Sequence, residues 1–350
     1  MGFSNVGANI TYSYSSSPVF GANNTGNAIA SSIGGLVGEN QGGLISNSNA
    51  NGPVVGVSIA NGRLHVGGLV GQTNGVSIII QSYATGSVTA TGNAAIGGLV
   101  GDNGGALGLN QATILKSFAT GNVVGGTSGE VGGLVGLNRG AITQAYATGS
   151  VSGTGASTIG GLIGTNSVPV DQSYAIGRVS SGTQVGLTLN GPQVGGLIGR
   201  NTESGLIGLV TNSYWDTQRT GQSSSSAGTS KTTAQLTSGL PAGFDSSVWT
   251  INLGITYPYF SWQPANTIPK PASSTSSSCT NCSFFQDVFG SYIGPPSNYS
   301  AWSWVTLSFF GNQLGLSPSN IEADDQNNPD LPPPGNRQYG PWIKYVPTVH

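Results

Sequence analysis

The chain has 350 residues, enough for two or three ordinary domains, yet only 6% are charged and 58 are glycine. The net charge is −2, with ten scattered basic residues, so there is no electrostatic footprint for nucleic acid and no polybasic patch for anionic lipid. Glycine without a triplet period excludes collagen, and no apolar run is long enough for a membrane-spanning helix.

In chain order, the N-terminal MGFSNVGANITYSYSSS lacks a basic start followed by an apolar core. Any export signal is therefore expected outside these residues. ITYSYSSS reads as a partial first copy of a repeat. Repeats then dominate. GGLVG or GGLIG recurs six times, with leucines at Leu36, Leu69, Leu99, Leu134, Leu162 and Leu197, spaced 33, 30, 35, 28 and 35 residues apart. A second phrase alternates with it: SYATGSV from Ser82, SFATGNV from Ser117, AYATGSV from Ala145 and SYAIGRV from Ser173, with a worn SNANG at Ser48 and a diverged NSYWDT from Asn212.

Each phrase is too short for a helix, is bracketed by glycine, and reads as a strand of about five residues. One unit of about 32 residues cannot bury its own apolar side; stacked units can. The prediction for residues 1–221 is an all-β, right-handed parallel β-helix (β-solenoid) of about seven coils. The leucines form one internal column. Tyr83, Phe118, Tyr146, Tyr174 and Tyr214 form a stacked aromatic column. Asn40, Asn103, Asn138, Asn166 and Asn201 form an amide ladder. Paired glycines are expected at tight corners with positive φ, and the variable segments in loops on one face.

Residues 222–263 read as a C-terminal cap. Trp249, Tyr257, Tyr259 and Trp262 are placed to cover the open sheet edge at the end of the stack. Residues 264–278 read as a Pro/Ser-rich linker. Residues 279–350 form a small aromatic-rich tail holding 12 of the 28 aromatic residues. In that tail Cys279 and Cys282 form a lone CxxC, a candidate structural disulfide in an oxidising compartment. The acidic group Glu322, Asp324, Asp325 and Asp330 lacks the EF-hand pattern and reads as a solvated loop.

The alternating phrases over residues 10–263 resemble the GLUG-repeat family, named for Gly-Leu-x-Gly. That resemblance implies a secreted or cell-surface bacterial protein, similar to the C-terminal part of filamentous-haemagglutinin-type two-partner-secretion adhesins. YWDTQRTGQ, KTTAQL, GFDSSVWTI and YPYFSWQ add to the likeness. Implied partners are a host or surface glycan or protein and an outer-membrane partner transporter, with self-association and tethering through the cysteine pair as further options. The HExxH motif of GLUG-bearing proteases is absent.

Nothing in the sequence supplies an active site. The two histidines are His65 and His350, and the acids of the repeats do not align in register. His65 reads as structural. No cofactor or metal is expected. The functional reading is an adhesin-like structural or binding protein and not an enzyme. The alternatives are a carbohydrate-binding module or, last, a solenoid enzyme acting on glycans.

Overall fold

The computed structural model describes residues 2–4, 7–23, 31–58, 62–104, 112–155, 157–182 and 193–271, and two short strands further on, 304–305 and 343–344. The chain divides into two units, Met1–Ser273 and Ser274–His350.

The first unit is a parallel β-solenoid of seven coils carrying four sheets. One coil shows the path. Sheet 1 takes Val70–Asn74. Sheet 2 takes Ile78–Ile80 and Tyr83–Ala84. Sheet 3 takes Val88–Thr91, and sheet 4 takes Asn93–Gly97. A Gly-Gly turn then leads to sheet 1 of the next coil. Register between coils is constant: Val70 pairs with Val37 on one side and Val100 on the other. Coil lengths differ, but the strands do not slip, because a one-residue slip would turn the apolar side outward.

Two apolar cores result. Sheets 1 and 2 enclose the leucine column with Val70, Ile79, Ala84 and their equivalents. Sheets 3 and 4 enclose Val88, Ile96, Val123, Val131 and their equivalents. Between the two cores, sheets 1 and 4 lie back to back, and glycine makes this possible. A Cβ on Gly101 would sit 2.5 Å from the Val66 nitrogen and 2.6 Å from the Gly71 oxygen. On Gly67 it would meet the Val70 oxygen at 1.9 Å, and on Gly68 the Gly98 oxygen of the next coil at 2.0 Å. The three glycines of each GGLxG thus serve the turn, the coil-to-coil stack and the sheet-to-sheet contact.

The paired glycines do not take positive φ, contrary to expectation. The left-handed corner falls on non-glycine residues before the second phrase: Asn47, Gln81, Lys116, Gln144, Gln172 and Asn212, with φ between 42° and 55°. Bonds between coils hold these residues in a conformation that costs about 1–2 kcal/mol each. Variable segments also fall at two places in the order of the strands instead of one. Residues 24–30, 59–61 and 183–192 lie between sheets 3 and 4 in the chain, whereas 105–111 lies between sheets 1 and 2.

At the carboxyl end of the stack the first part of the expected cap, residues 222–231, covers the end of the first core together with Trp215. In sheet 2 the column Ala50, Ala84, Ala119, Ala147, Ala175 ends in Trp215. Its indole lies across the last Gly-Gly turn and is 5% exposed. Residues 222–231 finish the closure. Ser226 N donates to Ile198 O, and Gly196 N donates to Ser224 O. The Gln222 amide donates to Val179 O, and Thr229–Lys231 adds a last strand beside Tyr214–Asp216.

Trp249, Tyr257 and Trp262 instead pack along the side of the stack. The segment from Thr232 runs back over sheet 2 and covers the aromatic column from Tyr214 to Phe118. It is the outward-facing rings, not the edge, that need covering, because each is a large apolar surface. The segment also continues past Gln263: a short 3-10 turn covers Ala265–Thr267, and Tyr257 N donates to Pro269 O. So the linker expected from residue 264 begins as part of this clasp.

The second unit is described only as an antiparallel pair, Trp304–Val305 with Ile343–Lys344. Cys279, Cys282, His350 and the acidic group at 322–330 lie outside the described residues.

Candidate functional site

Three features stand out against an otherwise neutral rod. The first is the leucine column. The backbone nitrogen of each leucine donates to the carbonyl of the next, Leu36 to Leu69, Leu99, Leu134, Leu162 and Leu197, at 2.8–2.9 Å. All are buried, with Leu36 at 8% and the rest at 0% exposed. Beside it runs the amide ladder. Asn103 donates to Asn138 at 2.8 Å, Asn138 to Asn166 at 2.8 Å, and Asn166 to Asn201 at 2.7 Å. Thr73 stands in the asparagine slot of its coil and donates to Asn103 Oδ1 at 3.0 Å. Asn40 turns back to its own corner and donates to Gly43 O. These are structural spines with no surface to offer a ligand.

The second feature is the aromatic column. Tyr83, Phe118, Tyr146 and Tyr174 stack at 4.9–5.0 Å with planes within 8° of parallel. Tyr214 follows in register with Tyr174. The worn coil puts Asn49 between Tyr83 and Tyr14. The rings therefore cover each other's faces, and the clasp covers their edges. Tyr146 Oη donates to Gln263 Oε1 at 2.9 Å, Tyr174 Oη to Pro258 O, and Tyr214 Oη to Ala242 O at 2.7 Å. Burial holds the Tyr146 and Tyr174 hydroxyls well above their ordinary pKa, so both stay donors. From Phe118 to Tyr214 no ring face is left for a sugar to stack upon.

One carboxylate ties clasp to stack. Asp216 is fully buried, caps the short helix α1 (Thr217–Thr220), and accepts from Thr233 Oγ1 and Tyr257 Oη, both at 2.6 Å. Helix α2 (Thr233–Thr237) begins there with a capping box of Thr232 and Gln235.

The third feature is a polar seam at the mouth between sheets 1 and 4. On sheet 1 the column reads Glu39, Gln72, Asp102, Leu137, Thr165, Arg200. Facing it on sheet 4 is Ser32, His65, Ala95, Glu130, Thr158, Gln193. With Arg63, Arg139 and Glu203, the seam holds seven of the ten charged residues before residue 211. Arg63 pairs with Glu130 at 2.6 Å. Arg139 spans Asp102 at 3.0 Å and Glu203 at 2.6 Å. Residues that do not align along the sequence are joined by side chains reaching across coils.

His65 and Asp102 are buried within the seam. Burial, aided by Arg63 and Arg139, lowers His65 to about 4. Burial raises Asp102 to about 7, against the pull of Arg139 and Arg63. His65 is thus neutral at pH 7, and its 3.6 Å approach to Asp102 is not an ion pair. No group of three or more His, Cys, Asp or Glu side chains that would hold a metal occurs among the described residues. The seam reads as a strap across coils.

The alternation of phrases, the glycine contacts and the constant register together describe one repeating unit. The GLUG motif matches this chain twice. The matches cover residues 29–56 and 62–89, each holding one GGLVG phrase and the second phrase that follows it. No curated protein and no solved structure matches the chain.

The sequence reading missed Trp215 and the seam. The signal for Trp215 was a tryptophan standing where four preceding ATG or AIG phrases carry alanine. The ion pairs of the seam had no signal in any single coil, because their partners are 37–67 residues apart.

Proposed function

We propose that the protein is a non-catalytic, adhesin-like structural and binding protein of the bacterial surface or exterior. On this reading the GLUG solenoid is a stalk, and the variable corner segments make contact with a host, a surface or a neighbouring cell. The observation that carries it is the split between constant and variable parts. Strand register holds through all seven coils while coil spacing ranges from 28 to 35 residues, with the difference confined to corners. That is how a scaffold carrying interchangeable loops is built. The GLUG motif supports a surface role. Export through an outer-membrane partner transporter belongs to the same proposal.

A carbohydrate-binding module built on the aromatic column has less support, since those rings are stacked and covered. The test is binding of the purified chain to immobilised glycans, matrix proteins and cells. A second chain in which residues 105–111 and 183–192 are replaced by Gly-Ser of equal length is compared with it. The proposal requires binding that is lost or redirected in the second chain with the melting temperature unchanged. Binding untouched by the replacement, or turnover of a polysaccharide, contradicts it.

A further inference from the structure

The clasp covers the outer face of sheet 2. The other outer face of the solenoid is sheet 3, and it presents its side chains in ranks. One rank reads Phe20, Val55, Thr89, Val124, Ser152 and Ser180, each in register with the next. A second, two residues further along the strands, includes Ala22, Val57 and Thr91 in register, with Thr154 two residues after Ser152. Val124 is 43% exposed, Thr91, Thr154 and Ser180 are exposed, and Val55, Thr89 and Ser152 are half-buried. The residues between them, such as Val88, Ala90, Val123 and Val151, point into the second core. The stretches that build this sheet, residues 17–23, 51–58, 85–92, 120–127, 148–155 and 176–182, hold one charged residue, Arg178, on the outermost strand.

The stack also turns little from coil to coil. The ring planes of Tyr83, Phe118, Tyr146 and Tyr174 differ by 2°, 2° and 8° in succession. Neighbouring strands ordinarily twist by about 20–25°. Coils that stack on sheet 2 without rotating do so on sheet 3 as well, so the ranks form a flat array. Its repeat is about 4.8 Å along the stack and, from one outward residue to the next, about 6.6 Å along each strand.

We infer that this face of sheet 3 binds ice. A folded protein or a soluble oligosaccharide does not repeat at every strand, whereas a crystal face does. The two repeats of the array lie near those of the oxygen atoms on a prism face of hexagonal ice. The side chains suit that ligand. Water over the methyl groups of Val55, Thr89 and Val124 finds no partner below it and is held in an ordered layer. The hydroxyls of Thr89, Thr91, Ser152 and Thr154 both donate and accept, and so tie that layer to the protein. A charged group would impose a hydration shell of its own, and the centre of the face carries none. A crystalline glycan fits less well, because sugar sites are built on aromatic platforms with a few fixed polar groups. In the stretches of sheet 3 the sole aromatic residue is Phe20. The face is distinct from the variable corner segments, so this inference can fail while the preceding reading stands, and the reverse.

The test is ice-affinity partition. A single ice crystal is grown slowly in a dilute solution of the 350-residue chain and serum albumin, and the fraction of each taken into the ice is measured. Thr89→Lys and Val124→Lys are measured singly, with melting curves to check that each folds. The chain carrying Gly-Ser at 105–111 and 183–192 is measured beside them. The expected result is capture of the parent chain well above albumin, equal capture of the Gly-Ser chain, and exclusion of each lysine variant to the level of albumin. Exclusion of the parent chain overturns the inference, and its adsorption to microcrystalline cellulose or chitin in that case assigns the face to a glycan. Capture unmoved by both lysines, or lost when the corner segments are replaced, overturns it too by placing the contact elsewhere.

Discussion

Gly101→Ala adds one methyl group at the point where sheets 1 and 4 touch. The new Cβ would lie 2.5 Å from the Val66 nitrogen and 2.6 Å from the Gly71 oxygen, both backbone atoms. Ordinary contact for a methyl group begins near 3.4 Å, so the sheets must part by nearly 1 Å. No side chain can swing aside to absorb this. Overpacking of a close-packed interior costs about 1–3 kcal/mol, and a rigid neighbour on each side places this case at the upper end. Helix and strand propensity favour alanine over glycine, so they cannot supply the loss. Gly239→Ala is the control: nothing lies within 4 Å of its added Cβ, and its φ is not positive. It should be neutral or stabilising by up to about 1 kcal/mol. Urea denaturation followed by far-UV circular dichroism measures both. A loss of about 3 kcal/mol for Gly101→Ala against none for Gly239→Ala is expected. Equal behaviour of the two would refute the back-to-back contact.

Other expectations follow from the same geometry. Leu134→Ala should cost about 2–5 kcal/mol, and Leu36→Ala less, because Leu36 lies beside the open end; denaturation midpoints rank them. Trp215→Ala should cost about 3–5 kcal/mol and open the plugged end to association, whereas Trp249→Ala should loosen the clasp without exposing that end; melting and sedimentation separate the two. The seam gives a pH test. Between pH 4 and 6.5 the unfolded chain holds a proton on His65 that the fold does not, so His65 makes stability rise with pH. From about pH 4 to 7 the fold holds a proton on Asp102 that the unfolded chain has lost, so Asp102 makes stability fall. The two oppose each other in the parent. Asp102→Asn should uncover the rising limb and His65→Gln the falling one, each by up to about 3 kcal/mol. Urea midpoints from pH 4 to 7.5 would show it, and flat profiles in both variants would contradict it.

Much of the solenoid was legible because its signal is repeated. Leu69, Leu99 and Leu134 sit in the same phrase, and a residue that returns at every turn must face the same way at every turn. The glycine physics was half legible. Close approach follows from glycine in a repeat, but φ is set by the path between sheets, and the path puts the left-handed corner on Gln81 and Gln144. What happens once in the chain was least legible. Trp249 looks like a cap in sequence, whereas Trp215 shows only as a tryptophan in an alanine position. Only the fold shows that the column of rings left on sheet 2 needs a lateral cover, while the last Gly-Gly turn needs a plug. The seam was hidden for a similar reason: Arg63 and Glu130, 67 residues apart, become neighbours only when the coils stack.

The register between coils is the claim on which the rest depends, and disulfide trapping tests it most directly. Thr89 pairs with Val124 in the adjacent coil on sheet 3, and Val124 with Ser152 in the coil after that. In a background with Cys279→Ser and Cys282→Ser, cysteines at 89 and 124 lie one strand spacing apart, about 4.8 Å, within disulfide reach. Cysteines at 89 and 152 lie two spacings apart, about 9.6 Å, and out of reach. Mild oxidation followed by mass spectrometry under non-reducing conditions should find the 89–124 bond formed to completion and the 89–152 bond absent. Formation of the 89–152 bond, or failure of both, would contradict the stacked register.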